Sequence, residues 1–524
     1  MKYFNIAGPC LPDRHYMLPP EGRLPELDRL VDKGAFFVVH APRQTGKTTA
    51  MKALAKRLTA EGRYAGLYVS CERARVFQDV GLAEQAIWTA VIGAANEGLP
   101  PPLRPPEVPK RGVGSQLREA LAAWADACAL PVVLVLDEID ALPGDALSSV
   151  LSQLRDGYVH RPSPFPHTVI LCGMRDVRDY KTASGGGPVR VGSASPFNIK
   201  EASLRLDNFS EADLRALYAQ HTAETGQVFT EEALALAWQL TRGQPWLVNA
   251  LAREVVEVMA VPADVPVTAE HMATAKERLI LARATHLDSL LARLREDRVR
   301  RVLEPVIAGE LIDSPSFDDD FQYVVDLGLV EPRPPVRIAN PIYREVILRV
   351  LASPAEANVV EEARDHLGPD GLLDMRRLLE RFLEFWSQHS EALLRGMPYP
   401  EAAPQLVLMA WLHRVVNGGG SIEREVGVGR GRIDLLLRWP HTVDGVRHWQ
   451  AEAVEIKVWR DRDKKRDPTD SGLKQLDGYL SRLGLTRGWL VIFDVRSAAP
   501  EIEERLSIED IALDSGRHAV VVRA

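Results

Sequence analysis

A multidomain α/β architecture is what this sequence predicts, on three observations: a length of 524 residues, strand-length apolar runs alternating with helical patterns in the first part, and a return to strands after about Met397. Domains run to about 100–200 residues each, so a chain of this length exceeds a single core. The runs AFFVVHA from Ala35, AGLYVS from Ala65, PVVLVLDE from Pro131 and HTVILCG from His167 alternate with helical stretches. That order predicts a parallel sheet wound with helices. LPPPLRPPEVPKRG from Leu99 and SGGGPVRVGSASP from Ser184 interrupt it as loops, because their Pro and Gly content sustains neither helix nor ladder. From Ser210 to Arg253 the pattern is helical, opened by an N-cap at Ser210 in SEADLRALYAQ. About His286 to Leu351 reads as short helices, two short strands with a turn, and a last helix. The stretch ASPAEAN then reads as a linker, followed by helix, the helix APQLVLMAWLHRVV and further strands, with no internal repeat.

Composition narrows the class. With 46% hydrophobic and 26% charged residues the chain is an ordinary globular one, neither disordered nor fibrous. A net charge of −8 argues against a uniformly basic coat for nucleic acid, while leaving room for a local basic cleft. Cys10, Cys71, Cys128 and Cys172 lie far apart, so neither a zinc cluster nor a disulfide framework is expected. A reducing, cytoplasmic setting follows. MKYFNIAGPCLPDRHYM has no apolar core after its lysine and the other apolar runs are strand-length, so neither a signal peptide nor a membrane partner is expected.

The first chemistry-bearing motif is APRQTGKTT, Ala41 to Thr49, between a strand and the helix TTAMKALAKRL. A loop at that junction aims backbone N–H groups and a helix N-terminus at one point, which suits a polyphosphate. In GxxxxGKS/T terms Ala41 stands at the first glycine, Gln44, Thr45 and Gly46 complete the loop, Lys47 reaches the phosphates, and Thr48 and Thr49 follow. Thr48 is the magnesium ligand of this P-loop reading. Downstream, VVLVLDEIDAL ends a strand in two acids; Asp137 would bind the metal through water, and Glu138 would orient or deprotonate the attacking water.

With these motifs, ILCGMRDVRDY and RGQPWLVNALA, the first 280 residues or so resemble the AAA-like, STAND-related ATPases of bacteria and archaea. The resemblance implies an ATPase core over 1–205 and a helical lid over 206–284, with Arg175, Gly243 and Pro245 near the phosphates or adenine. A surface ion pair for Arg175 and a plain helix break at GQP stay open, and Arg155 or Arg161 could serve a neighbouring subunit as an arginine finger. FQYVVDLGLVEPRPPVRIANPIYREVI resembles the winged-helix module of such proteins, giving a domain over 285–352 that couples, contacts protein or binds DNA. Asp318, Asp319 and Asp320 nearby argue against phosphate.

A helical linker over 353–396 leads to residues 397–524, where EAVEIKVWR sets Glu455 and Lys457 on one face of a strand with Val454, Ile456 and Val458 on the other. Taken alone this is a salt bridge. Asp434 in GRGRIDLLLRW, a hairpin-sized gap upstream, can add a second carboxylate on a neighbouring strand, and two such carboxylates suit Mg²⁺ or Mn²⁺. The pattern resembles the PD-(D/E)xK nuclease superfamily, which implies a restriction-endonuclease-like α/β domain. Gln475 and Tyr479 in LKQLDGYLSRLG are similar to the QxxxY element of its RecB-like branch. Its upstream acid is sought at Glu425 or Glu423, since the helix APQLVLMAWLHRVV has none. Arg460, Arg462, Lys464, Lys465 and Arg466 form a run suited to a solvated loop or a phosphate backbone. The expectation is therefore an ATP- and Mg²⁺-using protein with a metal-dependent nuclease for DNA, RNA left open, controlled by nucleotide state or by self-association through its first half, in defence or repair. Two rivals stand: a signalling or scaffold ATPase that binds nucleic acid without cutting, and an ATP-driven DNA loader or translocase.

Overall fold

Phe36 and Val38 face one side of strand β1 (Phe36–His40), Phe37 and Val39 face the other, and all four are buried. A strand buried on both faces belongs inside a layered sheet. The computed structural model describes residues 1–107, 112–174, 201–282, 292–307, 319–333, 336–356, 363–396, 402–416, 420–428, 431–461 and 467–524. They divide into two compact units: Met1–His286 with Gln322–Pro332 and Ala339–Ile342, and Leu287–Phe321 with Arg333–Ile338 and Tyr343–Ala524. The stretch expected as one winged-helix domain is thus shared between both.

In the first unit α1 (Leu27–Asp32), β1, α2 (Lys47–Ala60), β2 (Ala65–Ser70), α3 (Val80–Gly98), α4 (Gln116–Ala127), β3 (Val132–Asp137), α5 (Gly144–Val159), β4 (Thr168–Gly173) and β5 (Ala202–Arg205) follow in order. The sheet is all parallel, in the order β2-β3-β4-β1-β5. Val38, Leu134 and Leu171 meet α3, α4 and α5 through Trp88, Trp124 and Leu154, while Val39, Val135 and Cys172 meet α1 and α2 through Leu30, Met51 and Leu54. All four expected strands form, and the short, half-buried β5 adds a fifth. The unit continues with the helices α6 (Glu211–Thr225), α7 (Glu231–Thr241), α8 (Pro245–Arg253) and α9 (Ala269–Leu281). Ser210 caps α6 through a reciprocal pair with Asp213, as its sequence position predicts.

Further along the chain follow the helices α10 (Asp297–Ile307), α11 (Asp319–Asp326), α12 (Pro341–Glu356), α13 (Met375–Gly396) and α14 (Ala403–Val416). Where two short strands were expected after α11, Val330 and Ile338 form only single-residue bridges, and Ala339 N–H donates to the Leu329 carbonyl at 2.9 Å. Asp320 is drawn into α10 by Arg298 at 2.7 Å and by Arg301. Burial opposes its charge, but the two guanidiniums outweigh that and hold its carboxyl below the usual range.

The second sheet is mixed, in the order β10-β11-β9-β8-β7-β6, built from β6 (Ser421–Val428), β7 (Gly431–Val443), β8 (Val446–Trp459), α15 (Thr469–Leu483), β9 (Arg487–Asp494), α16 (Ile502–Arg505), β10 (Ser507–Ala512) and β11 (His518–Arg523). The turn between β7 and β8 has Asp444 and Gly445 both at positive φ, 51° and 80°, the geometry that closes a two-residue hairpin. On one face α15 packs Leu476, Tyr479 and Leu480 over Leu436, Ala453 and Leu490. Helix α13, expected as part of a linker, is core: Phe382 and Trp386 pack with Trp411 of α14 and Phe493 of β9.

Candidate functional site

The loop after β1 opens on Ala41, buried, whose N–H donates to the Gly173 carbonyl at 3.3 Å. Gln44 and Gly46 take positive φ, 58° and 92°, turning the chain sharply into α2. Gly46 suits that geometry without strain. Lys47 donates to the carbonyls of Ala41 and Pro42, both at 2.7 Å, and burial pushes its ammonium below the ordinary lysine range. Thr45 is buried and closes the loop onto Pro42 at 2.9 Å, and Gly328 packs on that proline, where an added Cβ would come within 2.8 Å.

Asp137 ends β3 beside this loop. Its Oδ2 accepts from the hydroxyls of Thr48 at 2.7 Å and Tyr68 at 2.8 Å, and its Oδ1 accepts from Glu138 N–H at 2.8 Å. Glu138 is exposed, at φ 57°, and accepts from Ser70. Thr48 and Asp137 thus meet as a metal-binding pair requires, and both acids adjoin the phosphate loop. The hydroxyl of Thr49 accepts from the Cys10 N–H at 3.0 Å.

Three contributors escape the motif reading. Arg23 donates to the Thr45 carbonyl at 2.9 Å and to the Asp207 carbonyl, and stacks on Phe209 at 4.9 Å. Burial lowers its guanidinium to about 10, with Asp213 and Asp207 opposing. Gln244 reaches the Gln44 carbonyl at 3.5 Å, and Tyr68 holds Asp137. Alternation along AGLYVS could have flagged Tyr68 and Ser70, since both face the acidic end of β3.

Gly243 and Pro245 have structural explanations. Gly243 sits at φ 71°, where a Cβ would fall 1.9 Å from the Phe209 carbonyl oxygen, and Pro245 occupies the first turn of α8. Arg175 lies outside the described residues. Arg161 is no arginine finger: it donates to the carbonyls of Gly34, Pro166 and His167 at 2.6–2.8 Å and packs on Phe36 and Tyr158. Those carbonyls precede β1 and β4, at the end of the sheet away from the loop. Arg155 lies on α5.

Residues 31–180 match the family described as AAA domain. They form an AAA-type P-loop ATPase domain. No curated relative matches the sequence. Among solved structures, the Walker-type ATPase PABY2304 of Pyrococcus abyssi aligns at TM-score 0.45 and 12% identity, over 66% of this chain and 99% of that one. Aeropyrum pernix ORC1 in complex with DNA aligns at 0.32 and 16%, over 64% and 93%. The Thermotoga maritima RuvB Holliday junction branch migration motor aligns at 0.31 and 16%, over 62% and 92%. The family match, not these superpositions, carries the assignment of the ATPase domain.

The second unit brings together Asp434, Glu455 and Lys457. Asp434 Oδ2 accepts from the Ile456 N–H at 2.8 Å, tying β7 to β8, and Lys457 donates to Glu455 Oε1 at 2.7 Å. Glu455 is 3% exposed, and among the described residues its Oε2 has no hydrogen-bond partner. Burial first, then the Asp434 charge, raise its carboxyl to about 7 against the pull of Lys457. Burial also raises Asp434, opposed by the Ile456 N–H, Lys457 and Arg344 of α12, a cation the motif reading missed. The opposite side of β8 is apolar at Val454 and Ile456, as alternation predicts.

Gln475 and Tyr479 do not share an environment. Gln475 is exposed, whereas Tyr479 is buried among the apolar side chains beneath α15. The register of β6 with β7, Arg424 to Leu435 and Val426 to Ile433, sets the backbone of Glu425 opposite Asp434; the Glu425 and Glu423 side chains lie outside the described residues. Among the described residues no group of three or more His, Cys, Asp and Glu side chains forms a metal cluster. Arg462, Lys464, Lys465 and Arg466 also lie outside them. No described helix is long and apolar enough to cross a membrane.

Proposed function

We propose that this chain joins an ATP-hydrolysing first unit to a second unit that cleaves DNA phosphodiesters with a divalent metal, the nucleotide state of the first controlling the second. The observation that carries the nuclease half is the buried Oε2 of Glu455, unpartnered among the described residues, next to Asp434 and Lys457. A carboxylate oxygen buried without a donor is costly unless a proton or a cation meets it. Asp434 and Glu455 would hold Mg²⁺ or Mn²⁺, which when bound supplies Lewis acidity and an activated water. Lys457 would stabilise charge on the scissile phosphate, and the strand position of Glu425 makes it the first candidate for a third carboxylate. In the first unit Lys47 would bind the β and γ phosphates, Thr48 and Asp137 would hold Mg²⁺, and Glu138, once released by Ser70, would orient the attacking water.

A second reading, an ATPase whose rear unit binds nucleic acid without cutting, is favoured by the two-carboxylate count among the described residues. Labelled single- and double-stranded DNA and RNA, incubated with Mn²⁺ or Mg²⁺ and with or without ATP, separate the two. Cutting by the parent and a loss of at least about a hundredfold in Asp434→Ala and Lys457→Ala is expected, a removed charge-stabilising group costing about 10²–10³ in rate. An intact substrate in every condition, or equal cutting by both variants, favours binding alone. Cutting that ignores ATP would remove the regulatory link.

A further inference from the structure

We propose that Tyr68 is a positioning residue for the magnesium ion of the ATPase site: its hydroxyl fixes Oδ2 of Asp137, and Lys52 above its ring strengthens that donor. The inference rests on nucleotide binding by residues 31–180 and assigns a role to a side chain outside both nucleotide motifs.

Tyr68 lies on β2, which pairs with β3 in the register Tyr68 to Val135 and Ser70 to Asp137. The phenol therefore reaches Asp137 diagonally across two strands, at 2.8 Å. Its ring packs with the apolar layer between the sheet and α2. Phenylalanine would fill that space equally well, so packing does not account for the hydroxyl. What the hydroxyl adds is a second donor to Oδ2 beside that of Thr48. A hydroxyl has one proton, and the Thr48 proton serves Asp137 only while its rotamer allows it, at 2.7 Å. Tyr68 is not among the metal-binding pair, so its donor can stay on the carboxylate when the Thr48 hydroxyl turns to an ion.

Lys52 follows Thr48 by four residues on α2, so the two share a helix face. Its ammonium sits 5.0 Å from the centre of the Tyr68 ring. A cation over a phenol face draws electron density from the ring and makes the hydroxyl a better donor. Thr48, Asp137, Tyr68 and Lys52 thus form one chain of contacts.

The experiment uses the full-length protein and a fluorescent ATP, comparing its affinity in MgCl₂ with that in EDTA for the parent, Tyr68→Phe, Lys52→Met and Lys52→Arg. In Tyr68→Phe the magnesium-dependent gain in affinity should fall about tenfold, the worth of one hydrogen bond to a charged group, with the EDTA affinity unchanged. Lys52→Met should lose about threefold of the gain and Lys52→Arg should keep it. A gain within twofold of the parent in Tyr68→Phe overturns the proposal. So does an equal loss in MgCl₂ and EDTA, which would mark a packing role. If the parent itself fails to bind the probe in MgCl₂, the nucleotide site falls with it.

Discussion

At the residue scale the most informative group is Glu455, because its environment makes opposite demands on it. Lys457 favours the carboxylate, while burial and the Asp434 charge favour the acid and prevail, raising the group from 4.5 to about 7. A raised acid binds its proton more tightly in the folded chain than in the unfolded one. Its stabilising contribution is complete below about pH 4.5 and is lost as pH rises through 7. In EDTA, the stability of the parent relative to Glu455→Gln should therefore fall by about 3 kcal/mol between pH 4.5 and 8, at 1.36 kcal/mol per unit. Urea unfolding at several pH values checks this, and a flat or rising difference would mean that Lys457 neutralises the site. The grouping of these residues was legible only in combination. Glu455 and Lys457 alone read as an ion pair, and Asp434 upstream completed the group. Tyr and Gln four apart recur on any amphipathic helix, and here the two part company, the phenol packing beneath α15 while Gln475 is exposed. Arg23 and Arg344 were invisible, since each acts on residues far away in sequence.

At the element scale, legibility follows how a segment is buried. Strands β1 to β4 are apolar on both faces and stand out in the sequence, whereas β5, ASLR, is short and half-buried. Helix α13 read as a linker because one face is polar, yet its other face carries Phe382 and Trp386. Polar networks leave no such signal, and one of them governs how α3, α4 and α5 meet. The carboxylate of Glu84, fully buried on α3, accepts from Gly114 N–H at 3.2 Å, Ser149 at 2.6 Å and Gln153 at 2.8 Å. Gln153 in turn accepts from the first N–H groups of α4, those of Leu117 and Arg118, at 2.9 and 3.0 Å. A side chain on α5 thereby does for α4 what an N-cap would. Glu84→Ala strands several buried donors at once and should destabilise the ATPase domain by about 3 kcal/mol, where an exposed ion pair such as Arg57–Glu61 would contribute under about 1 kcal/mol. Chemical denaturation of both alanine variants, Glu84→Ala and Glu61→Ala, compares them directly. Equal effects would mean that Gln153 and Ser149 find other partners.

At the scale of the whole molecule, the division into two units, each with its own sheet and its own charged site, has a thermodynamic consequence. A ligand stabilises only the cooperative unit to which it binds, by about 2.7 kcal/mol at a hundred times its dissociation constant. Calorimetry of the full chain should resolve two transitions. Magnesium with a non-hydrolysable ATP should raise the one belonging to the unit with Lys47, Thr48 and Asp137. Mn²⁺ without nucleotide should raise the one belonging to the unit with Asp434 and Glu455, more at pH 8 than at pH 6, because the Glu455 proton competes with the ion. Lys47→Ala should abolish the first response and Asp434→Ala the second. Control of one unit by the other adds a further requirement, because a coupling free energy is reciprocal. If nucleotide state governs the second unit, then Mn²⁺ must alter nucleotide affinity by the same factor by which nucleotide alters Mn²⁺ affinity. Two responses that add without interaction would leave two activities on one chain with no control between them. A shift of both transitions by either ligand, the nucleotide's lost in Lys47→Ala and the ion's lost in Asp434→Ala, is the outcome that regulated cleavage demands.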